Sequence, residues 1–252
     1  MFCQHCGNEI VEGQAFCGHC GAKLADAGPA QSVGGRLKTS WEDRAASGFV
    51  NGLFMTAREA LFRPTEFFRR MPVTGGLTDP LLYALITGMI GLLFLSLWDI
   101  LLHDSMREFM THEMKAAAGR TMWDGLHSTL WTVMTPFLLI LWIFIAAGML
   151  HLFLLLARGA KAGFEATFRV VGYSVSPFLF MSVPFCGVLI TVIWAMMLAI
   201  IGLKEAHQTT GGKAVFAVLF PLLFFCGLIM VLAAIFMGAV MASFVPLMHM
   251  YK

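Results

Sequence analysis

From Phe168 to Leu203 the chain runs for 36 residues without an acidic side chain. Comparable apolar runs occupy Leu81 to Leu102, Leu130 to Ala157 and Ala214 to Phe244. An α-helix rises about 1.5 Å per residue, so about 20 apolar residues cross a hydrocarbon layer of ~30 Å. The 36-residue run is too long for one such helix and contains Pro177, Pro184 and Gly187. A break near Pro184 divides it into short spans over 168–183 and 186–203, and five spans result. Composition agrees: 58% of residues are hydrophobic and 13% charged, against roughly 25% charged in soluble domains. The expected fold is an all-α membrane protein, a five-helix transmembrane bundle over 80–247.

Lys and Arg orient it, because short loops rich in them stay on the cytoplasmic side. With five spans, thirteen of the 17 cations fall on the N-terminal side, and Arg107, Lys115, Arg120 and Lys252 fall on the other. Four spans would move Lys204 and Lys213 across and weaken the bias. The polar start Met1-Phe2-Cys3-Gln4-His5-Cys6 carries no cleavable signal pattern. The expectation is N-terminus cytoplasmic, C-terminus outside.

Residues 1–24 hold two matched knuckles, Cys3-Gln4-His5-Cys6-Gly7 and Cys17-Gly18-His19-Cys20-Gly21. Four thiolates at this spacing suit one tetrahedral Zn²⁺. So short a unit cannot bury a core of its own, which makes the metal structural. A disulfide or redox dithiol is disfavoured in a reducing compartment. Cys3, Cys6, Cys17 and Cys20 are the expected ligands, with His5 and His19 as bystanders. Lys23 is the only basic residue of the ribbon, so no nucleic acid is expected as a partner.

Residues 25–39 have linker composition and read as flexible. Residues 40–71 are amphipathic and basic. Ser40 and Asp43 suggest a capping pair, and Trp41, Ala45, Phe49, Leu53, Ala57 and Leu61 recur every four residues. Pro64 breaks the pattern before a second short helix. Such a helix either lies in the headgroup layer, its arginines toward anionic lipid, or docks on the bundle.

Ordered features give a resemblance. Leu61-Phe62-Arg63-Pro64-Thr65-Glu66-Phe67-Phe68 with Met71-Pro72 precedes the first span. His151, Gly163 to Arg169 and Tyr173-Ser174 follow, then Pro177, Pro184, Gly187, Trp194, Gly202 and Lys213-Ala214. Residues 60–252 resemble the bacterial branch of the YIP family (Ypt-interacting protein domain), and residues 1–24 resemble zinc ribbons fused to such proteins. The resemblance implies a five-helix membrane domain with a cytosolic N-terminus, expected in the bacterial inner membrane, and for the bacterial branch no agreed biochemical activity. The small-GTPase role of eukaryotic relatives does not carry over, because no residue identifies a GTPase contact.

Ionisable groups at membrane depth are candidates for function. His151, Tyr173, Glu165 and Asp99 form the candidate intramembrane polar site, with His151 expected to bond Tyr173 or Glu165. Asp124 and His127 read as solvated, Cys186 and Cys226 as packing thiols, and Met196-Met197 as apolar filler. No H-E-x-x-H, G-x-S-x-G or Walker pattern occurs. The expected function is a non-enzymatic membrane scaffold or adaptor that meets the bilayer and a cytoplasmic protein through residues 1–71. The alternative is a small transporter or channel at the Pro/Gly-interrupted helices.

Overall fold

A computed structural model describes residues 6, 19, 20, 36–109 and 122–250, with side chains 103–129, 132 and 239–250 excepted. The elements are α1 (Arg44–Ser47), α2 (Phe49–Phe62), α3 (Pro64–Arg70), α4 (Thr78–Phe109), α5 (Met122–Leu156), α6 (Gly163–Tyr173), a 3-10 helix (Ser176–Ser182), α7 (Gly187–Ala206) and α8 (Gly211–Met250).

Four helical stretches are long and apolar enough to cross a bilayer: Thr78–Leu102, Val133–Leu156, Gly187–Ala206 and Gly211–Gly238. The span expected over 168–183 is not one helix. Its residues belong to α6, of 11 residues, and to the 7-residue 3-10 helix. Pro177 sits at the start of the latter, where the missing N–H costs nothing and the ring closes off an α-helical continuation. The two pieces run side by side with α4. A Cβ on Gly172 would meet the Pro80 carbonyl, and one on Gly91 would lie 2.4 Å from the Phe178 carbonyl oxygen. Further along, Trp98 Nε1 donates to the Met181 carbonyl at 3.2 Å. Only glycine at 91 lets the 3-10 backbone approach α4 so closely. The chain then reverses through Val183, extended, and Phe185 at φ 62, and α7 begins at Gly187.

Residues 166–177 are all buried, so the interrupted element is the centre of the bundle. One core joins Tyr83, Tyr173, Val170, Leu198 and Leu203 to Trp41, Ala57, Leu61, Phe67 and Phe68 of the N-terminal segment. A second joins Ala84, Leu139, Ile143, Ala147, Phe168 and Val175. At the other extreme, every residue of α8 from Leu222 to Gly238 is exposed; that surface is hydrocarbon-compatible along its whole length.

The amphipathic segment docks on the bundle. Gly48, at φ 84, separates α1 from α2, so the stripe is not one helix. No capping box forms: α1 starts after Asp43 without a side-chain cap, and the Ser40 carbonyl instead accepts the Ser47 hydroxyl. Trp41, Ala57 and Leu61 of the stripe are buried, whereas Phe49 is exposed. Phe67 and Phe68 are buried in the first core, and burying one such Phe contributes roughly 1.5–3 kcal/mol by transfer from water. Of the stretch read as flexible, residues 36–39 are described and held: Arg36 donates to the Met71 carbonyl at 3.2 Å, and Leu37 N–H to the Arg70 carbonyl at 2.8 Å.

Candidate functional site

Where residues 36–71 meet the bundle, a buried polar network replaces apolar packing. Arg169, on α6, is 1% exposed. Its Nε donates to the Pro72 carbonyl at 2.7 Å, its Nη1 to the Gly76 carbonyl at 3.0 Å, and its Nη2 to Glu42 Oε1. The Tyr173 hydroxyl, one helical turn on, donates to the same Glu42 oxygen at 2.5 Å. With that proton committed, the Thr39 hydroxyl donates to Tyr173 at 3.2 Å and accepts the Glu42 N–H at 3.3 Å. Every arm of the guanidinium is engaged, which a buried charge requires. Next to it, Trp41 Nε1 donates to the Asp79 carbonyl at 2.8 Å, and Arg44 pairs with the Asp79 carboxylate at 2.7 Å while stacking on the Trp41 ring. We call residues 36–71 the collar, since these bonds fasten them round the end of the bundle.

His151 bonds neither Tyr173 nor Glu165. Its Nδ1 lies 2.8 Å from Thr167 Oγ1, and the same hydroxyl lies 2.9 Å from His207 Nε2. The Ala162 N–H donates to His207 Nδ1 at 3.1 Å, so that nitrogen is the unprotonated one. Neutral His207 therefore donates from Nε2 to Thr167, and Thr167 donates onward to His151 Nδ1. The chain of bonds ties α5, α6 and the turn before α8 together. Burial, reinforced by His151 and Arg36 nearby, pushes His207 down to about 4, which keeps it in the form that this geometry needs.

The four residues expected to form one intramembrane site are thus distributed. Tyr173 belongs to the Glu42–Arg169 network. Glu165 accepts the Gly76 N–H at 2.6 Å. His151 belongs to the histidine chain. Asp99 lines a cleft with Trp98, Met181 and Phe185, twenty residues along α4 from Asp79, or about 30 Å. Sequence reasoning missed Glu42, Thr167 and His207. His207 follows a span directly and had no flanking ligand pattern; Glu42 carries no local signal, because its partner lies 127 residues away.

Of the ribbon cysteines, Cys6 and Cys20 are described and stand exposed in turns; Cys3 and Cys17 lie outside the described residues. Among the described residues no three His, Cys, Asp or Glu gather as a metal site. The donor chemistry fits zinc: two thiols of different knuckles occupy turns, where a metal can be wrapped, and the Cys-x-x-Cys spacing supplies the other two.

No curated protein matches the chain, and no solved structure does. A zinc-ribbon domain matches residues 2–24, and the Yip1 domain matches residues 58–247. The second match takes in every apolar helix together with α3 and the end of α2, where Trp194 bonds the Leu61 carbonyl. A polytopic membrane protein with a zinc-ribbon domain at its N-terminus, the chain belongs to the Yip1 domain family.

Proposed function

We propose that the protein is a non-enzymatic integral membrane scaffold, with a structural zinc ribbon carried by a collar that is fixed to the bundle. The observation that carries this reading is the Glu42–Arg169 pair: a buried ion pair is a costly way to gain stability but a selective way to set one geometry. In this reading Cys3, Cys6, Cys17 and Cys20 hold Zn²⁺. Four sulfurs leave no open coordination position, so the metal shapes a surface and activates no water. Residues 1–71 then present that surface to a cytoplasmic protein. The interrupted element, lying along α4 from Pro80 to Trp98, serves as a fifth crossing. With the cations gathered at the collar end, it puts the N-terminus in the cytoplasm and the C-terminus across the membrane, the bacterial inner membrane by the resemblance drawn from the sequence.

The scaffold is tested by crosslinking in intact membranes. Partners captured by the full chain are expected to be lost on deleting residues 1–24 or changing the four cysteines to serine. An unchanged set of captured proteins overturns the reading.

The interruption at Pro177 keeps a transporter in view, because broken helices bind solutes through freed backbone groups. Here those groups are occupied from within. Thr191 donates to the Pro177 carbonyl at 2.9 Å, Ser176 to the Tyr173 carbonyl at 2.7 Å, and Ser176 and Tyr83 share a 2.7 Å bond. Solute flux in reconstituted vesicles that falls on changing His151 or Tyr173 would favour the transporter over the scaffold.

A further inference from the structure

The outward side of the collar sets exposed arginines beside exposed apolar side chains. Trp194 Nε1 donates to the Leu61 carbonyl at 3.2 Å. Trp194 is twelve residues from the Ala206 end of α7, or about 18 Å, so the corner between α2 and α3 packs alongside α7. From there α3 descends along α7: Phe68 lies against Gly202, and Arg69 pairs with Glu205 at 3.0 Å. The faces turned away from α7 are exposed and apolar, with Val50 at 76%, Phe54 at 64% and Phe62 at 71%. A cleft of about 460 Å³ opens beside Phe62. Arg58, Arg63 and Arg70 line it, with Glu59 and Glu66 between them. Glu59 is taken by Arg70 at 2.6 Å, and Glu66 faces Arg63 only loosely, at 4.0 Å. Among the described residues Arg58 has no carboxylate partner, so the cleft carries one uncompensated positive charge.

Arg58 and Arg63 are exposed beside exposed apolar side chains, and an uncompensated guanidinium in such a setting attracts an anion. The geometry points to a phospholipid: the cleft of Arg58 and Arg63 holds the phosphate of an anionic lipid from the leaflet on the collar side, and Phe62, Phe54 and Val50 lie against its acyl chains. The two features select for the two ends of one molecule. A free phosphate has no use for the phenylalanines, and an apolar ligand has none for the arginines. Arginine suits the task because its planar fork binds phosphate oxygens in pairs and its stem tolerates an apolar flank. The site depends on the position of the collar against α7 and not on the scaffold reading, which can fail on its own.

The test uses the full chain, delipidated in detergent and titrated with phosphatidylglycerol, phosphatidylcholine or glycerol phosphate, with bound lipid counted by native mass spectrometry. Phosphatidylglycerol is expected to bind at least tenfold more tightly than phosphatidylcholine. Arg58→Gln with Arg63→Gln should remove that preference by a factor of ten or more, while Arg158→Gln, an exposed cation elsewhere, leaves it intact. Both cleft arginines are exposed, so the variant keeps its core, and unchanged thermal unfolding checks this. Single Phe62→Ser should weaken phosphatidylglycerol and leave any glycerol phosphate binding unchanged. Equal binding of the two lipids, a phosphatidylglycerol preference that survives the arginine changes, or full competition by glycerol phosphate each overturns the proposal.

Discussion

Changing Arg169 to Met tests how the collar is held. The side chain is 1% exposed and that of Glu42 6%, so neither charge has water to fall back on. Methionine removes the cation, leaves the buried Glu42 carboxylate to the Tyr173 hydroxyl, and strips donors from the Pro72 and Gly76 carbonyls. Removing one member of a buried pair costs about 3–5 kcal/mol, and for a chain of this size that corresponds to a fall in Tm on the order of 10 °C. Glu42→Gln should cost less, about 2 kcal/mol, since the amide oxygen still accepts from Tyr173 while Arg169 keeps two carbonyls. The combined variant should then lose at least about 1 kcal/mol less than the sum of the two singles, because no buried charge is left stranded. The assay is unfolding in mixed micelles followed by tryptophan fluorescence, with limited proteolysis of the collar as a second readout. An Arg169→Met loss below about 1 kcal/mol, or strict additivity in the double variant, would refute the idea that this pair fastens the collar.

Further outcomes follow from other groups. His207 is held down to about 4 from an ordinary 6.5, so between those values the unfolded chain binds a proton that the folded chain refuses. Stability is therefore full above pH 6.5 and falls as the pH drops towards 4, by on the order of 2 kcal/mol after discounting for solvent screening; His207→Gln should flatten that slope in a pH series of melts. Ser174 Oγ is the one buried side-chain polar atom without a hydrogen-bond partner among the described residues, so Ser174→Ala should be neutral or stabilise by about 1 kcal/mol in the same melts. Metal analysis should find one zinc per chain, lost on changing Cys3, Cys6, Cys17 and Cys20 to serine. Because the ribbon precedes the collar, the melting of the bundle should not move; a shift of several degrees would mean that the ribbon packs on the bundle.

What could be read from the residues alone divides along physical lines. Solvent preference is a sum over many side chains, so the four crossing helices were legible, as was the reversal near Pro184, where the proline and Gly187 leave few conformations. The zinc ribbon was legible because four like ligands at fixed spacing have few other uses. The interior of the 168–183 stretch was not. Its hydropathy is that of a span, and only Pro177 hints that the backbone changes from α to 3-10 there. The collar shows a different limit. Periodicity marks Trp41, Ala57 and Leu61 as one face, but the partner that covers the face is set by pairs such as Glu42–Arg169 and Leu61–Trp194. Those lie 127 and 133 positions apart, and no local pattern records them. Arg169 read as one cation of a loop count, and it proves to be the most completely bonded charge among the described residues.

The account rests on the collar being one rigid piece with the bundle, and amide hydrogen exchange on the full chain in lipid nanodiscs tests that most directly. Leu37 N–H is bonded to the Arg70 carbonyl and Trp41 N–H to Thr56 Oγ1, each at 2.8 Å. Peptides covering residues 36–71 should therefore exchange as slowly as those covering 166–182, and Arg169→Met should speed up the first set far more than the second. Exchange of residues 36–71 within seconds in the unaltered chain, at the rate of a free linker, would contradict it.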